Sequence, residues 1–171
     1  MLSERYKRYI YWTMVICWMV VLFVLSGQNA EKSSSVSGKV IEVVATAIQP
    51  SFAELDVAEK STLISELQVT VRKFAHYFSY SVLGTLLSLA MQTHPLRLRL
   101  RLRKQMFWSL TIGVIYAISD EIHQYFVPGR SMQLSDVILD SFGVFTGVCI
   151  VNYRAILRRT SAVSRRAAKR T

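Results

Sequence analysis

Four long apolar stretches constrain what this chain can fold into. They cover residues 9–26, 74–92, 106–127 and 136–153, and the first contains no formally charged residue. A transmembrane α-helix needs about 20 mainly apolar residues. In a chain of 171 residues, 51% of them hydrophobic, these stretches leave little room for a separate soluble domain. We therefore predict an all-α membrane protein, a bundle of four transmembrane helices forming one domain over residues 1–171.

The segment between the first and second stretches, residues 28–71, is the one polar region of any length. Residues 33–35 are three serines and predict a loop. Apolar residues at helical spacing before Pro50 predict one helix, and Ser51 with Glu54 fits a capping box that opens a second. We expect an extracytoplasmic helical loop that lies on the membrane surface or caps the bundle.

The first apolar stretch has a second interpretation, because signal peptides also carry an apolar run near the N-terminus. The run is long for the apolar region of a signal peptide, and residues 26–30 form only a fair cleavage site. We therefore expect a retained membrane anchor.

The distribution of basic residues predicts the orientation in the cell membrane. Fifteen of the 21 lysines and arginines lie in the N-terminal segment, in the loop between the second and third stretches, and in the tail at 154–171. The positive-inside rule then places both termini, the basic tail included, in the cytoplasm. The net charge of +10 is accompanied by no aromatic-interleaved binding motif, so it indicates lipid-headgroup contact and no nucleic-acid partner.

Ionisable residues concentrate at the predicted outer ends of the helices. Each costs about 2.5–3.5 kcal/mol at membrane depth, which makes a functional site the default hypothesis. Residues three or four apart share a helix face, as Arg72 and His76 do. The predicted binding residues are Arg72, Lys73, His76, Asp120, Glu121, His123, Gln124, Arg130, Asp136 and Asp140.

At these positions the sequence resembles the VanZ-like family of bacterial membrane proteins. The matching pieces are Ser26 with Gln28; Arg72-Lys73-x-Ala75-His76 with Tyr80, Leu83 and Gly84; Ser119-Asp120-Glu121-x-His123-Gln124; Pro128-x-Arg130; and Asp136-x-x-x-Asp140 with Gly143 and Gly147. The resemblance implies four or five spans in the cytoplasmic membrane, mostly of Gram-positive bacteria. It also implies an association with low-level resistance to the glycopeptide teicoplanin, and it assigns no catalytic role.

Three functions remain open at this point. The cluster binds a lipid-linked cell-wall precursor, a phospholipid headgroup or the glycopeptide, and so changes how the drug reaches the outer face. Alternatively, the protein is an enzyme acting on a lipid-linked or polyprenyl phosphate, with catalytic candidates His76, Glu121, Asp120 and Asp140. In the third case the charges form a structural ion-pair network with no ligand.

No cofactor or metal is expected from the sequence. A divalent-cation variant would use the oxygens of Asp120, Glu121, Asp136 and Asp140, but the cationic neighbours argue against it. A cation or proton path is disfavoured because the inner halves of the stretches carry no ionisable residue. The two cysteines, Cys17 and Cys149, lie inside apolar runs and are interpreted as small buried hydrophobes.

Overall fold

The computed structural model describes residues 4–28, 30–48, 50–93 and 102–168, and these residues are almost entirely helical. The helices are α1 (Glu4–Ser26), α2 (Ala30–Ile48), α3 (Val57–Thr93), α4 (Leu102–Tyr125) and α5 (Leu134–Ala168), with a short 3-10 helix at Pro50–Glu54. The prediction of an all-α protein is confirmed.

Two of these helices are long and apolar enough to cross a membrane, over Arg5–Ser26 in α1 and Leu134–Tyr153 in α5. Only 17% and 33% of the residues in these two segments are buried in the protein, so most of their apolar side chains point away from the core. The predicted span at 74–92 lies within α3, and the one at 106–127 follows α4 to its end at Tyr125. The protein therefore has membrane character, and the count of four spans remains a prediction.

Several predicted boundaries are wrong. Helix α3 runs without a break from the polar segment at 28–71 into the predicted second span, because no glycine or proline interrupts residues 57–83. The predicted capping box at Ser51 does not open a helix, and α3 begins instead after Asp56, whose carboxylate accepts a hydrogen bond from the Val57 amide at 2.7 Å. The predicted serine loop at 33–35 lies inside α2.

The basic segments are only partly within the described structure. Helix α5 continues through residue 168, so most of the predicted tail is helical and not a separate segment. The arginine-rich loop at 94–101 and residues 169–171 lie outside the described residues. The orientation inferred from these charges therefore stays a prediction.

Helix α3 is the centre of the bundle, since it packs against α1, α2, α4 and α5. Its buried side chains interlock with residues from three other helices to form the apolar core. The core consists of Val15, Leu22, Tyr80, Leu83, Leu86, Leu87, Ala90, Ala117, Val144 and Val148.

Glycines set the closest approach in the bundle, between α3 and α5. A Cβ atom at Gly84 would collide with the backbone of Val144, and one at Gly147 would collide with the carbonyl oxygen of Ser81. Small residues at these positions let the two helix backbones approach closely. Because the backbones of α3 and α5 touch, the side chains along these two helices are held in a fixed register.

A neutral polar cluster lies near the end of α3. The Asn152 side-chain amide donates to the Ser88 hydroxyl at 2.7 Å, and Gln92 donates to the Asn152 side-chain oxygen at 3.3 Å. These groups are uncharged and hydrogen-bonded to one another. The buried carboxylates Asp120, Glu121 and Asp140 lie at the opposite end of the bundle, where the candidate site is found.

Candidate functional site

Four helices bring polar residues together at one end of the bundle. The C-terminal ends of α1 and α4 meet the N-terminal end of α5 and the middle of α3. Between α4 and α5 the chain turns at Gly129, which has a positive φ of 76°. The Arg130 amide donates to the Val127 carbonyl at 3.1 Å, which closes this turn and places Arg130 over the end of α4.

His76, Asp120 and Asp140 form the centre of the site. The Nδ1 atom of His76 lies 3.6 Å from Oδ2 of Asp140. One nitrogen or oxygen from each of the three residues lies within 4.8 Å of the others. The Asp140 side chain has no exposed surface, and Asp120 is 3% exposed. The fold therefore buries two carboxylates against one imidazole.

Several of these buried oxygens have no hydrogen-bond partner among the described residues. They are both carboxylate oxygens of Asp140 and Oδ1 of Asp120. Buried carboxylates are normally hydrogen-bonded or paired, because desolvation otherwise disfavours the charge strongly. The arrangement indicates that a proton, ion or ligand completes the cluster.

The basic residues of the site contact other groups. Lys73 pairs with Asp136 at 3.2 Å, and both side chains are partly exposed. Arg130 donates through Nη1 to Oε1 of Gln124 at 2.8 Å, and Gln124 in turn donates to Asp120 at 3.4 Å. Burial and the neighbouring Arg72 lower the pKa of Arg130. The carboxylates of Asp120, Glu121 and Asp136 act on Arg130 in the opposite direction, so this side chain lies among groups of both charges.

Two cavities meet at these residues. A polar pocket of about 70 Å³ is lined by Arg72, Lys73, His76, Gln124, Gly129, Arg130, Ser131, Gln133, Asp136, Leu139 and Asp140. An apolar cleft of about 260 Å³ opens beside it between α1, α2 and α3, lined by Leu22, Leu25, Ser26, Gln28, Val36, Ser37, Val40, Val71, Arg72, Ala75, His76, Ser79, Asp120 and Arg130. Arg72, His76 and Arg130 line both cavities.

Glu121 and His123 lie apart from the two cavities. Glu121 is 1% exposed, and its Oε2 atom accepts a hydrogen bond from the Gln133 amide at 3.1 Å. This contact ties the turn after α4 to the start of α5. The His123 ring stacks on Phe23 of α1, with 4.1 Å between the ring centroids. The remaining eight of the ten predicted site residues line the polar pocket or the apolar cleft.

The sequence did not predict that residues of α2 line the site. Val36 and Val40 belong to a helix whose sequence shows only an apolar face, with nothing to say which partner that face covers. Only the family resemblance pointed to Ser26 and Gln28. The Ser26 hydroxyl is buried and has no hydrogen-bond partner among the described residues. The meeting of α2 with the ends of α1 and α3 is decided by tertiary packing.

Comparison with known proteins identifies the family of the chain. No curated protein and no solved structure gives a significant match to the chain. A family model described as VanZ/LLP1 matches residues 11–158, a range that contains every residue lining the polar pocket and the apolar cleft. The chain belongs to the VanZ/LLP1 family.

Proposed function

We propose that this protein crosses the membrane four times, with both termini in the cytoplasm, and binds an amphiphile with an anionic headgroup at its outer face. Exposed apolar side chains on α3 and α4 support the proposal that each of these helices crosses the membrane. Phe74 and Phe78 of α3 and Ile115 and Ile122 of α4 are all exposed on the surface of the bundle. Such a surface is stable in lipid and is rare on monomeric soluble proteins.

The observation that carries the proposal is the shared boundary of the two cavities. Arg72, His76 and Arg130 face the polar pocket on one side and the apolar cleft on the other. A molecule with a phosphate at one end and a hydrocarbon chain at the other matches this change of polarity. The guanidinium groups would hold the phosphate oxygens, and the cleft would hold the first part of the chain.

A third cavity extends the apolar surface. A groove of about 430 Å³ lies between α2 and α3 and shares Val40 and Val71 with the apolar cleft. Its other lining residues are Ile41, Val44, Ala45, Ile48, Phe52 and Leu67. The cleft and groove together provide the several hundred Å³ that a lipid-sized ligand requires.

The proposed biological role is in the cell envelope. On the outer leaflet, amphiphiles with phosphate headgroups include phospholipids and lipid-linked cell-wall precursors. Holding such a molecule changes how many cell-wall targets a glycopeptide of the teicoplanin type can reach. We propose this as the route by which the protein would affect glycopeptide resistance.

An enzymatic role is the second candidate, and the contact between His76 and Asp140 is the observation that favours it. A carboxylate 3.6 Å from Nδ1 orients an imidazole, as general acid–base catalysis requires. In that case Arg72 and Arg130 hold the phosphate, and His76 transfers a proton to or from the leaving or attacking oxygen. Glu121 takes no part, because it lies outside the polar pocket.

The test is lipid binding by the purified protein in detergent. We expect a polyprenyl phosphate or phosphatidylglycerol to bind, and an uncharged polyprenol to bind at least about tenfold more weakly, since each charge-assisted hydrogen bond contributes about 1.5–3 kcal/mol. Arg130→Gln should reduce binding of the phosphate lipids by a similar factor. The affinities for the polyprenyl phosphate and for phosphatidylglycerol are then compared, and the tighter ligand shows which class of lipid supplies the headgroup.

Arg103→Gln is the matched control, because Arg103 is an exposed arginine at the opposite end of α4. It should leave binding unchanged. Equal binding of the phosphate lipid and the polyprenol, or equal loss in both variants, would reject the proposal. Release of inorganic phosphate from the bound lipid would select the enzymatic candidate over binding alone.

A further inference from the structure

We propose that His76, Asp120 and Asp140 form a binding site for a divalent transition-metal cation such as Mn²⁺ or Zn²⁺. One imidazole nitrogen and two carboxylate oxygens are a common donor set for these ions. The three donor atoms already lie within 4.8 Å of one another. Ligands bound at about 2.1 Å are roughly 3.4 Å apart in a tetrahedral site, so side-chain shifts of about 1 Å would close the site.

The second observation is that buried oxygen atoms of the candidate metal ligands have no hydrogen-bond partner among the described residues. Asp140 is fully buried with neither oxygen hydrogen-bonded to a described residue, and Asp120 is 3% exposed with its Oδ1 atom in the same state. Both carboxylates face the one imidazole of the cluster. Metal ions bind deprotonated carboxylates and neutral imidazole. In that state the three side chains would carry a charge of −2, which a divalent cation would balance.

The cationic neighbours are partly engaged with other groups. Lys73 is paired with Asp136, which lies outside the three-residue cluster. Arg130 donates through Nη1 to Gln124 and also lies near Asp120, so a bound cation would compete with Arg130 for that carboxylate. A cation bound to Asp120 and Asp140 would neutralise these carboxylates, so Arg72 and Arg130 could interact with another anion. The site differs from the all-oxygen set considered from the sequence, because His76 replaces Glu121 and Asp136.

Three protein ligands leave coordination positions open, as they do in catalytic metal sites. His76 and Asp140 line the polar pocket, so an open position would face the space proposed for the headgroup. A phosphate oxygen bound there would join the ion and the two arginines around one headgroup. This last step rests on the proposed lipid binding, whereas the metal site itself does not.

Metal binding is measured on the full chain in detergent without added lipid. The protein is stripped with a chelator and titrated with Mn²⁺ or Zn²⁺ by calorimetry, and with Co²⁺ by visible absorption. We expect one ion per chain and a Co²⁺ spectrum with d–d bands typical of nitrogen and oxygen ligands. Asp140→Asn and His76→Gln should each weaken binding by more than about 100-fold, beyond the 10–100-fold typical of outer-shell changes.

Glu66→Gln is the control, because Glu66 is an exposed acid on the same helix as His76 and lies outside both the cluster and the two site cavities. It should bind the ion within about twofold of the unmodified protein, well inside the 10–100-fold cost of disturbing an outer-shell partner. His76→Gln guards against misfolding of Asp140→Asn, because the His76 side chain is one-quarter exposed. Absence of binding to the unmodified protein, or binding that Glu66→Gln weakens and His76→Gln does not, would overturn the proposal. Lipid binding is then measured again with chelator present, to separate the metal site from the proposed lipid binding. If the protein takes up no metal but still binds lipid, only the metal site is rejected.

Discussion

Glu121 is expected to act through the shape of the turn after α4 and not through its charge. Its side chain is 1% exposed, and Oε2 accepts the Gln133 amide at 3.1 Å while Oε1 has no hydrogen-bond partner among the described residues. Glu121→Gln keeps an acceptor oxygen of the same shape. It weakens one hydrogen bond by about 1 kcal/mol but removes a buried charge, and the two effects offset each other.

Glu121→Ala has a different expected result. The Gln133 amide loses its acceptor, and a charge-assisted bond of about 1.5–3 kcal/mol is lost. The turn that carries Arg130 is then held less firmly at the start of α5. For a chain of this size, 1 kcal/mol lowers the melting temperature by about 2–4 °C, so we expect a fall of about 3–12 °C for Glu121→Ala and of less than about 3 °C for Glu121→Gln.

Thermal unfolding in detergent measures the stability, and hydrogen exchange at the Gln133 amide measures the local contact. Exchange should accelerate in Glu121→Ala and stay slow in Glu121→Gln, and lipid binding should survive in Glu121→Gln. If Glu121→Gln is as unstable as Glu121→Ala, the charge itself stabilises the fold and our reasoning is wrong. If Glu121→Gln is stable but loses function, Glu121 takes part in the chemistry of the site.

Two further predictions concern packing and topology. Gly147→Ala places a methyl group against the Ser81 carbonyl, so it should destabilise the protein by about 1–3 kcal/mol in thermal unfolding. Gly38→Ala is the control, because its nearest neighbours are side-chain ends of Gln68 and Ile64 at 3.2 and 3.4 Å, and similar losses in both variants would contradict the packing account. In a cysteine-free background, Ser131→Cys should react with an impermeant maleimide in intact cells, whereas Arg103→Cys should react only after permeabilisation; the reverse pattern would refute the proposed orientation.

The membrane character and the location of the charged residues could be read from the sequence. Apolar stretches of spanning length predict helices without knowledge of neighbours, because a backbone in lipid must satisfy its own hydrogen bonds. Residues such as Asp136 and Asp140, four apart, share a face in any α-helix. Gly143 and Gly147, also four apart, form a pair of small residues of the kind that favours close helix contact, and α3 makes that contact.

Helix boundaries in the polar segment were less predictable. Ser51 and Glu54 have the spacing of a capping box, yet the chain forms a 3-10 turn there and starts α3 after Asp56. Local signals of this kind contribute only about 1 kcal/mol, so packing of α2 on α3 can override them.

The sequence by itself determined that acids, basic residues and a histidine gather at the ends of apolar helices, because helical periodicity and hydropathy are local properties. Only the tertiary structure decided which of them meet. It joined His76 to Asp120 and Asp140, turned Glu121 toward the Gln133 amide, and placed Arg72 and Arg130 between a polar pocket and an apolar cleft. Those choices depend on the rotation and crossing of α3, α4 and α5, which are fixed by contacts between residues distant in sequence, such as Gly84 with Val144 and Gly147 with Ser81.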